Sequence, residues 1–245
     1  MIDDNRRIQS VERAMALLEA IAAAGGESRL VDLTTQLGLN KSTLHGLLNT
    51  LAAMGYVTRN GTRYALGLRL RELAQPLTDE DSALRATFGP VLRRFAEISG
   101  ETCYLAVPCG TSEYLCIDSV ECDGSLLRAT CPCGNREGLT TSAIGKILLA
   151  NDVGLMRSLR RAGKVSTSLG VELKAIAVQG FALDLEQVEP GLCCVAMPLY
   201  KQGRVVAALG MSGPSCRWSS SALQDLVHRM LQEKFGNTKQ KIEPC

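Results

Sequence analysis

Residues 39–51 read LNKSTLHGLLNTL, a helix pattern with one apolar face and one polar face that lacks acidic residues. Leucines recur at the i, i+3, i+4 and i+7 spacing of a helix that buries one side, at Leu44, Leu47, Leu48 and Leu51. The other side carries hydrogen-bond donors, on Lys41, Ser42, Thr43, His45 and Asn49. A solvated helix normally mixes carboxylates among its cations. The missing acids therefore suggest a face that meets a negatively charged partner.

Two more helices precede this one. Residues 10–26, SVERAMALLEAIAAAGG, repeat apolar side chains at helical spacing after Ser10, a suitable N-cap. Residues 28–38, SRLVDLTTQLG, do so again and end at Gly38, which can take the positive φ of a tight turn. Asn40 then stands where it would cap the acid-free helix. The order predicts a helix-turn-helix.

A hairpin follows the three helices. Residues 56–66, YVTRNGTRYAL, form two β-rich runs that meet at Asn60-Gly61, the strongest two-residue hairpin signal. Arg59 and Arg63 flank the predicted tip, where a wing can contact a nucleic-acid backbone. We therefore predict a winged helix-turn-helix over residues 1–67. The alternative is a helical hairpin whose polar face happens to lack acids. The agreement of helix order, turn, cap and wing favours the winged helix-turn-helix over it.

Charge supports the same interpretation. The chain of 245 residues has a net charge of only +2. Residues 33–71 contain no Asp or Glu, yet they include Lys41 and four arginines. A recognition helix in a major groove places donors at phosphates and base edges, and the phosphates would repel a carboxylate there. The predicted partner is double-stranded DNA, and the predicted contacts are Lys41, Ser42, Thr43, His45, Asn49, Arg59 and Arg63.

The chain shows no sign of a membrane segment or a secretion signal. No apolar run approaches the roughly 18 residues that span a bilayer, and the N-terminus MIDDNRRIQS carries acids where a signal peptide would carry a basic stretch and an apolar core. We expect a cytoplasmic protein. Its 10 cysteines are then reduced thiols by default.

A family resemblance rests on five stretches. RIQSVERAMALLEAIAAAG, LTTQLGLNKSTLHGLLNTLAAMGYV and RYALGLRLRELA resemble the N-terminal domain of the isocitrate lyase regulator (IclR) family of bacterial transcription factors. TTSAIGKILLA and EPGLCCVAMPLYKQGRVVAALGMSGP are similar to two signature stretches of the family's effector-binding domain. The resemblance implies a transcriptional repressor that binds an operator as a homodimer, with dimers that can pair into tetramers. Many members have an arginine where this chain has Gly46.

A helical linker is predicted over residues 68–89. Its first helix should stop at Pro76, and a second should restart with Thr78 as cap before Gly89-Pro90 opens another. The linker is rich in large apolar residues: Leu68, Leu70, Leu73, Leu84 and Phe88. These are too many for a solvated strut, so we expect them to pack against a second subunit.

Residues 90–245 are predicted to form the effector-binding domain. Strands are expected over residues 102–108, 113–120 and 125–131, helices over 142–150, 153–163 and 171–180, and a hairpin over 192–212 that turns at Gln202-Gly203. A final helix should start near Ser219. Strands in neighbouring hairpins with helices between them indicate an α+β domain with an antiparallel sheet. The resemblance implies the GAF-like fold with one ligand pocket.

The segment TTSAIGK, residues 140–146, is the candidate anion site. Thr141 or Ser142 can cap a helix here while the free amides near Ala143 and Ile144 receive an anion, although such a pattern is more often only a cap. The resemblance favours a ligand site. The residues then expected at the effector are Ala129, Glu137, Ser142, Ala143, Ile144, Asp184, Cys194, Gly210 and Ser212.

The candidate site departs from the family pattern at two positions. Gly210 stands where some members have serine, and Glu137, in the stretch Glu137-Gly138-Leu139-Thr140, stands where they have an aliphatic residue. Asp184, Cys194 and Ser212 keep the family's chemistry. We therefore expect an organic acid or sulfonate that also carries a cationic or hydroxyl group.

The cysteines leave one alternative open. They include Cys131-Pro-Cys133, Cys193-Cys194, Cys103, Cys109, Cys116 and Cys122, which could serve a regulator that senses metal or redox state. No C-x2-C pair exists, and the only histidines are His45 and His228. A thiol-dependent enzyme is a more distant alternative, because cysteine catalysis usually needs a nearby base. We predict no catalytic residue, no metal site and no cofactor.

Overall fold

The computed structural model describes residues 8–122, 134 and 136–236, without the side chains of residues 233–236. The chain divides into two compact units between Glu80 and Asp81. This division lies inside the predicted linker, and the predicted limits at residues 67 and 89 remain predictions. The strand expected over 125–131 lies outside the described residues.

The first unit is a winged helix-turn-helix, as predicted. Its helices are α1 (Gln9–Ala23), α2 (Leu30–Leu37) and α3 (Lys41–Ala53), and its strands are β1 (Glu27–Arg29), β2 (Val57–Asn60) and β3 (Arg63–Leu66). The strands form one antiparallel sheet in the order β1-β3-β2. Leucines and an isoleucine from all three helices are fully buried between them: Leu17, Ile21, Leu33, Leu44 and Leu48.

Local signals in this unit were mostly correct. Gly38 ends α2 in the left-handed conformation with φ +61°, and Asn40 Oδ1 accepts a hydrogen bond from Thr43 N at 2.8 Å. Ser10 is not a cap, because α1 already begins at Gln9, with Ile8 O accepting from Glu12 N. The strand β1 was not predicted because it is too short to show a period.

The hairpin turn lies one residue later than predicted. Asn60 pairs with Arg63 as the last residue of β2, so the turn consists of Gly61 and Thr62. Gly61 takes the positive φ, +62°, at the first turn position, where glycine is the least strained residue. The wing itself is present, and only its tip shifts.

The interruptions predicted in the linker helix, at Pro76 and before Pro90, are wrong. One helix, α4, runs without interruption from Arg69 to Ser99 through Pro76 and Pro90. Both prolines are exposed, as are Glu72 and Ala86, whose carbonyls lose their helical donors. Solvent can therefore supply the missing hydrogen bonds, so the helix need not end.

The apolar residues of the linker have different environments. Leu84 and Phe88 are buried in the core of the second unit, so they are not available to another subunit. Leu70 packs against the core of the first unit. Leu68 and Leu73 remain exposed, together with Leu77. Of the predicted residues, Leu68 and Leu73 are therefore still available to a second subunit, and Leu77, which the sequence analysis did not name, is available as well.

The second unit is an α+β domain, as predicted. A six-stranded antiparallel sheet has the order β6-β5-β4-β9-β8-β7. Its strands are β4 (Thr102–Cys109), β5 (Glu113–Val120), β6 (Arg136–Gly138), β7 (Ala182–Leu185), β8 (Leu192–Lys201) and β9 (Arg204–Pro214). Its helices, besides α4, are α5 (Ala143–Asn151), α6 (Val153–Arg161), α7 (Thr167–Gln179) and α8 (Ser220–Gly236).

The two faces of this sheet pack against different helices. Because side chains alternate along a strand, Val195 and Leu209 join α4 and α8 in one core, whereas Ala196 and Ala208 join α5 and α7 in another. The hairpin of β8 and β9 turns at Gln202-Gly203, as predicted. The short strands β6 and β7 were not predicted. None of the described helices is long and apolar enough to cross a membrane.

Candidate nucleic-acid interface and ligand site

The recognition helix α3 presents the predicted donors on one side. Leu44, Leu48 and Leu51 are buried on its inner face. On the outer face Lys41, Ser42 and Asn49 are exposed, while Thr43 and His45 are partly buried. Ser42 Oγ donates to Asn40 Oδ1 at 2.9 Å, so the hydroxyl oxygen still has lone pairs free to accept. The first turn of α3 thus combines an exposed lysine with free helical amides, which favour a phosphate.

The wing places two arginines on its surface. Arg59 Nε donates to Gly61 O at 3.1 Å, and its guanidinium lies 5.8 Å from the centre of the Tyr64 ring. Arg63 lies 3.5 Å from the Glu27 carboxylate, with both side chains well exposed. An exposed ion pair contributes little, so Arg63 can exchange Glu27 for a phosphate at small cost. The sequence did not reveal Glu27 because β1 was missed.

Gly46 lies on the exposed face of α3 without a packing reason. A Cβ atom added there would have no neighbour within 4 Å. Glycine weakens a helix interior relative to alanine by about 1 kcal/mol. The residue therefore leaves a gap in the outer face of the recognition helix that any larger side chain could fill.

The second unit brings together three predicted effector residues on neighbouring strands. The register places Asp184 of β7 opposite Cys194 of β8, and Cys194 opposite Ser212 of β9. Cys194 Sγ lies 3.1 Å from Ser212 Oγ. Asp184 is almost fully buried, and its Oδ1 accepts a hydrogen bond from Gln187 N at 2.8 Å. We call Asp184, Cys194 and Ser212 the polar row.

The polar row continues onto β4 through residues that the sequence did not single out. Thr102 pairs with Ser212, and Tyr104 pairs with Gly210. Both side chains are buried. Alternation along β4 could have placed Thr102 and Tyr104 on one face, but nothing local in the sequence shows that β4 lies beside β9.

The N-terminus of α5 is capped by Ser142, which decides between the two predicted caps. Ser142 Oγ accepts from Gly145 N at 3.1 Å and donates to Tyr114 Oη at 3.2 Å. Tyr114 Oη in turn donates to the Glu137 carboxylate. Glu137 thus joins the site through Tyr114, a third residue that the sequence analysis missed.

The first turn of α5 packs closely on the sheet. A Cβ atom at Gly210 would lie 2.6 Å from Ile144 Cγ1, and one at Gly145 would lie 2.6 Å from Gly138 O. Ala143 is buried. The amides of Ala143 and Ile144 belong to the first helical turn, whose N–H groups have no partner within the helix. Because Ile144 covers Gly210, two residues before Ser212, this turn lies beside the polar row.

A buried lysine stabilises the far side of the site. Lys146 of α5 is almost fully buried, and its Nζ donates at 2.8 Å both to Glu172 Oε1 and to Gln187 Oε1. Gln187 is also the residue whose backbone binds Asp184. The lysine therefore links α5, α7 and the loop after β7, and its charge is compensated by Glu172.

Burial keeps the thiol and phenols of the site protonated. It raises the pKa of Cys194 to about 12, against a smaller lowering by the hydrogen bond with Ser212. Burial also raises the pKa of Tyr104 and of Tyr114, and the hydrogen bond with Glu137 raises that of Tyr114 further. At neutral pH these groups are uncharged donors and acceptors, not nucleophiles.

One predicted effector residue and two of the cysteines lie outside the described residues: Ala129, Cys131 and Cys133. Within the described part of the chain, no group of three or more His, Cys, Asp and Glu side chains could hold a metal ion. The cysteines that the structure describes form no disulfide with one another: Cys103, Cys109, Cys116, Cys122, Cys193, Cys194 and Cys216.

Family models match both units of the chain. Residues 10–61 match the IclR helix-turn-helix domain, and residues 80–234 match the C-terminal domain of bacterial transcriptional regulator IclR. The second match alone covers more than half of the 245 residues.

Known proteins agree with these matches. The chain is 31% identical to the HTH-type transcriptional regulator BhcR of Paracoccus denitrificans, with 98% of this chain and 91% of that protein covered. It is also 31% identical to the transcriptional repressor IclR of Escherichia coli, with 86% and 82% covered. An IclR homologue from Microbacterium hydrocarbonoxydans, solved in complex with 4-hydroxybenzoate, has the same fold, with a TM-score of 0.67, 21% identity, and 91% and 96% of the two chains covered. The chain belongs to the IclR family of bacterial transcriptional regulators, which are not enzymes and which join a DNA-binding helix-turn-helix to an effector-binding C-terminal domain.

Proposed function

We propose that this regulator is a repressor whose operator binding is controlled by a small organic acid or sulfonate bound in its C-terminal unit. The polar row carries this proposal. Asp184 is buried, and Cys194 and Ser212 contact each other, beside the first turn of α5. A few convergent polar side chains beside a helix N-terminus are the arrangement expected of a site for a small anionic ligand.

The acid group of the effector is proposed to meet the amides of Ala143 and Ile144. These amides lie at the positive end of α5, whose dipole favours an anion. Ser212 and Asp184 then offer a hydroxyl and a carboxyl group to the rest of the ligand. The Microbacterium relative binds 4-hydroxybenzoate, an acid of this general class.

The DNA-binding half of the proposal rests on α3 and the wing. Lys41, Ser42 and Asn49 are exposed on the outer face of α3, and Arg59 and Arg63 are exposed on the wing. One winged helix offers a small interface to DNA, so we propose that a homodimer reads a two-fold repeated operator. The dimers are proposed to pair into tetramers, as the family resemblance implies.

Control requires that the effector discriminate between two arrangements of the protein. A ligand with equal affinity for both arrangements would shift nothing, however tightly it binds. The effect must also be reciprocal: the factor by which the effector changes operator affinity equals the factor by which the operator changes effector affinity.

The test begins with a thermal-shift screen of small carboxylates and sulfonates. A ligand at about 100 times its Kd stabilises the folded state by roughly 2.7 kcal/mol, which such a screen detects. Calorimetry then compares the wild type with Ser212→Ala and Asp184→Ala. Each change should weaken effector binding by about 1–3 kcal/mol, because it leaves a buried ligand group unsatisfied.

Operator binding without ligand should be unchanged in both variants. Ser220→Ala, on the exposed start of α8, is the matched control and should bind the effector like the wild type. Wild-type effector affinity in both Ser212→Ala and Asp184→Ala would show that the ligand binds elsewhere.

A further inference from the structure

The hydroxyl groups beside α5 are aligned in one direction. Ser142 Oγ donates to Tyr114 Oη, and Tyr114 Oη donates to the Glu137 carboxylate. Each of these two hydroxyls has a single proton, so both protons are already used. Ser142 and Tyr114 therefore have no donor left for a ligand.

Glu137 completes this chain as an acceptor. It lies on the edge strand β6, directly opposite Tyr114 of β5, and its side chain is exposed. An ionised carboxylate accepts hydrogen bonds only, with about four lone-pair positions. Tyr114 occupies one of them, and no other described residue donates a hydrogen bond to this carboxylate, so it can accept from a further donor.

The charge of Glu137 influences the pKa of Tyr114 and of Cys194, a member of the polar row. Burial is the main cause of the raised pKa of Cys194, and the charge of Glu137 adds a smaller contribution. Tyr114 likewise has its pKa raised first by burial, then by Glu137, and further by Cys194. Glu137 therefore lies close enough to the polar row for its charge to act on Cys194.

The two sides of the site have opposite preferences. The amides at the start of α5 are donors and favour an acid group. The carboxylate of Glu137 is an acceptor and repels a second carboxylate placed against it. A ligand that satisfies both sides needs an acid group for α5 and a donor group for Glu137.

We propose that Glu137, oriented by Tyr114, selects an effector that carries a hydroxyl or ammonium group in addition to its acid group. This inference rests on the effector site proposed above and specifies its ligand class as small hydroxy acids or amino acids. A plain acid of the same carbon skeleton lacks the donor and leaves the carboxylate of Glu137 without a partner from the ligand.

The test uses carbon-matched sets of probes: acetate, glycolate and glycine; propionate, lactate and alanine; butyrate, 2-hydroxybutyrate and 2-aminobutyrate. Calorimetry measures their affinities for the full-length wild type, Glu137→Leu, Glu137→Gln and Tyr114→Phe. In at least one set the wild type should bind the hydroxy or amino acid about tenfold more tightly than the plain acid. Glu137→Leu should bring that ratio close to one.

The variants distinguish the two donors. If the donor is ammonium, Glu137→Gln should lose the preference, because the negative charge is gone. If it is hydroxyl, Glu137→Gln should keep part of the preference, because the amide oxygen still accepts. Tyr114→Phe should reduce the ratio in either case. Glu113→Gln, an exposed neighbour on β5, is the matched control and should keep the wild-type ratio.

Two kinds of result would overturn the inference, and they separate it from the proposed effector site. If a plain acid binds as tightly as its substituted partners and loses affinity in Ser212→Ala, the effector site stands and the donor selectivity is wrong. If no probe binds, the ligand class inferred here is wrong, while the effector site is still judged by the ligand from the thermal-shift screen. If that ligand binds and its affinity is unaffected by Ser212→Ala, Asp184→Ala and Glu137→Leu, both proposals fail. Circular dichroism confirms that each variant is folded.

Discussion

The side chain of Ile144 occupies the space above Gly210, where an added Cβ atom would lie 2.6 Å from Ile144 Cγ1. Ile144 is in the first turn of α5, and Gly210 is in the middle of β9. The contact joins the predicted anion site to the sheet. It also gives a physical reason for glycine at a position where some family members have serine.

Gly210→Ser should destabilise the second unit by about 1–3 kcal/mol, because Ile144 must move out of its place. Ile144→Ala in the same chain should recover part of this loss. Urea unfolding of the two single variants and the double variant gives their coupling energy. Gly170→Ser is the control, since a Cβ there meets only Arg160 at an ordinary 3.8 Å. Equal destabilisation by Gly210→Ser and Gly170→Ser would contradict the close contact.

Lys41→Ala combined with Arg63→Ala should weaken operator binding and make it less sensitive to salt. Each phosphate contact contributes about −0.9 to the slope of log affinity against log salt concentration, so losing contacts flattens the line. Fluorescence anisotropy at several salt concentrations measures this slope. Lys174→Ala, an exposed cation in the second unit, should leave it unchanged. An unaltered slope in the double variant would remove the recognition-helix interpretation.

Gly46→Ala should stabilise the first unit by about 1 kcal/mol, because alanine favours the helix and meets no neighbour within 4 Å. Gly46→Arg should fill the same exposed position with a cation and raise DNA affinity at low salt. Urea unfolding and the same anisotropy assay measure the two effects. A destabilising Gly46→Ala would mean that the glycine has a structural role which its surroundings do not reveal.

The wild type should be at least dimeric at micromolar concentration, and Leu73→Glu with Leu77→Glu should shift it towards monomers. Both leucines are about two-thirds exposed on α4, at 66% each, so a charge there costs little in the folded monomer but opposes an apolar interface. Light scattering measures the molar mass. Val178→Glu, on the exposed face of α7, is the control. A monomeric wild type would contradict the proposed assembly.

Thiol labelling at pH 7.5 should modify the exposed Cys216 well before Cys194 or Cys103. Burial raises the pKa of both slow thiols to about 12, so almost no thiolate is present. Mass spectrometry after timed alkylation gives the order of reaction. Labelling of Cys194 as fast as Cys216 would favour the redox alternative.

The same thiols predict how stability depends on alkaline pH. Their pKa values rise from an ordinary 9.0 to about 12 in the folded chain, so folding disfavours the thiolate. Below about pH 9 both states keep the proton and stability is unaffected; between about pH 9 and 12 the unfolded chain loses it first and stability falls. Cys103→Ala should make this decline shallower in urea unfolding.

Short-range signals in the sequence were reliable where one segment decides its own structure. The leucine spacing of α3, the Asn40 cap and the left-handed Gly38 all depend on residues a few positions apart. The Gln202-Gly203 turn is equally local, since both residues take positive φ between two long strands. The same local rules predicted a helix end at Pro76, where helix α4 continues through an exposed proline. They also predicted a helix start at Ser10, although α1 already begins at Gln9.

The site could be predicted only as a set of residues. Asp184, Cys194 and Ser212 came from the family resemblance, and their positions in the chain say nothing of their contact. Tyr114, Thr102 and Tyr104 were missed, because each reaches the site through pairing between strands distant in sequence.

The sequence by itself determined the helix-turn-helix, its acid-free face and the α+β character of the second half. Helices and strands can be predicted from the spacing of apolar residues a few positions apart. Only the tertiary structure decided that β4 lies beside β9, that Ile144 covers Gly210 and that Tyr114 donates a hydrogen bond to Glu137. These relationships depend on strand register and on packing between segments, and a shift of one residue would turn every side chain concerned to the other face of the sheet.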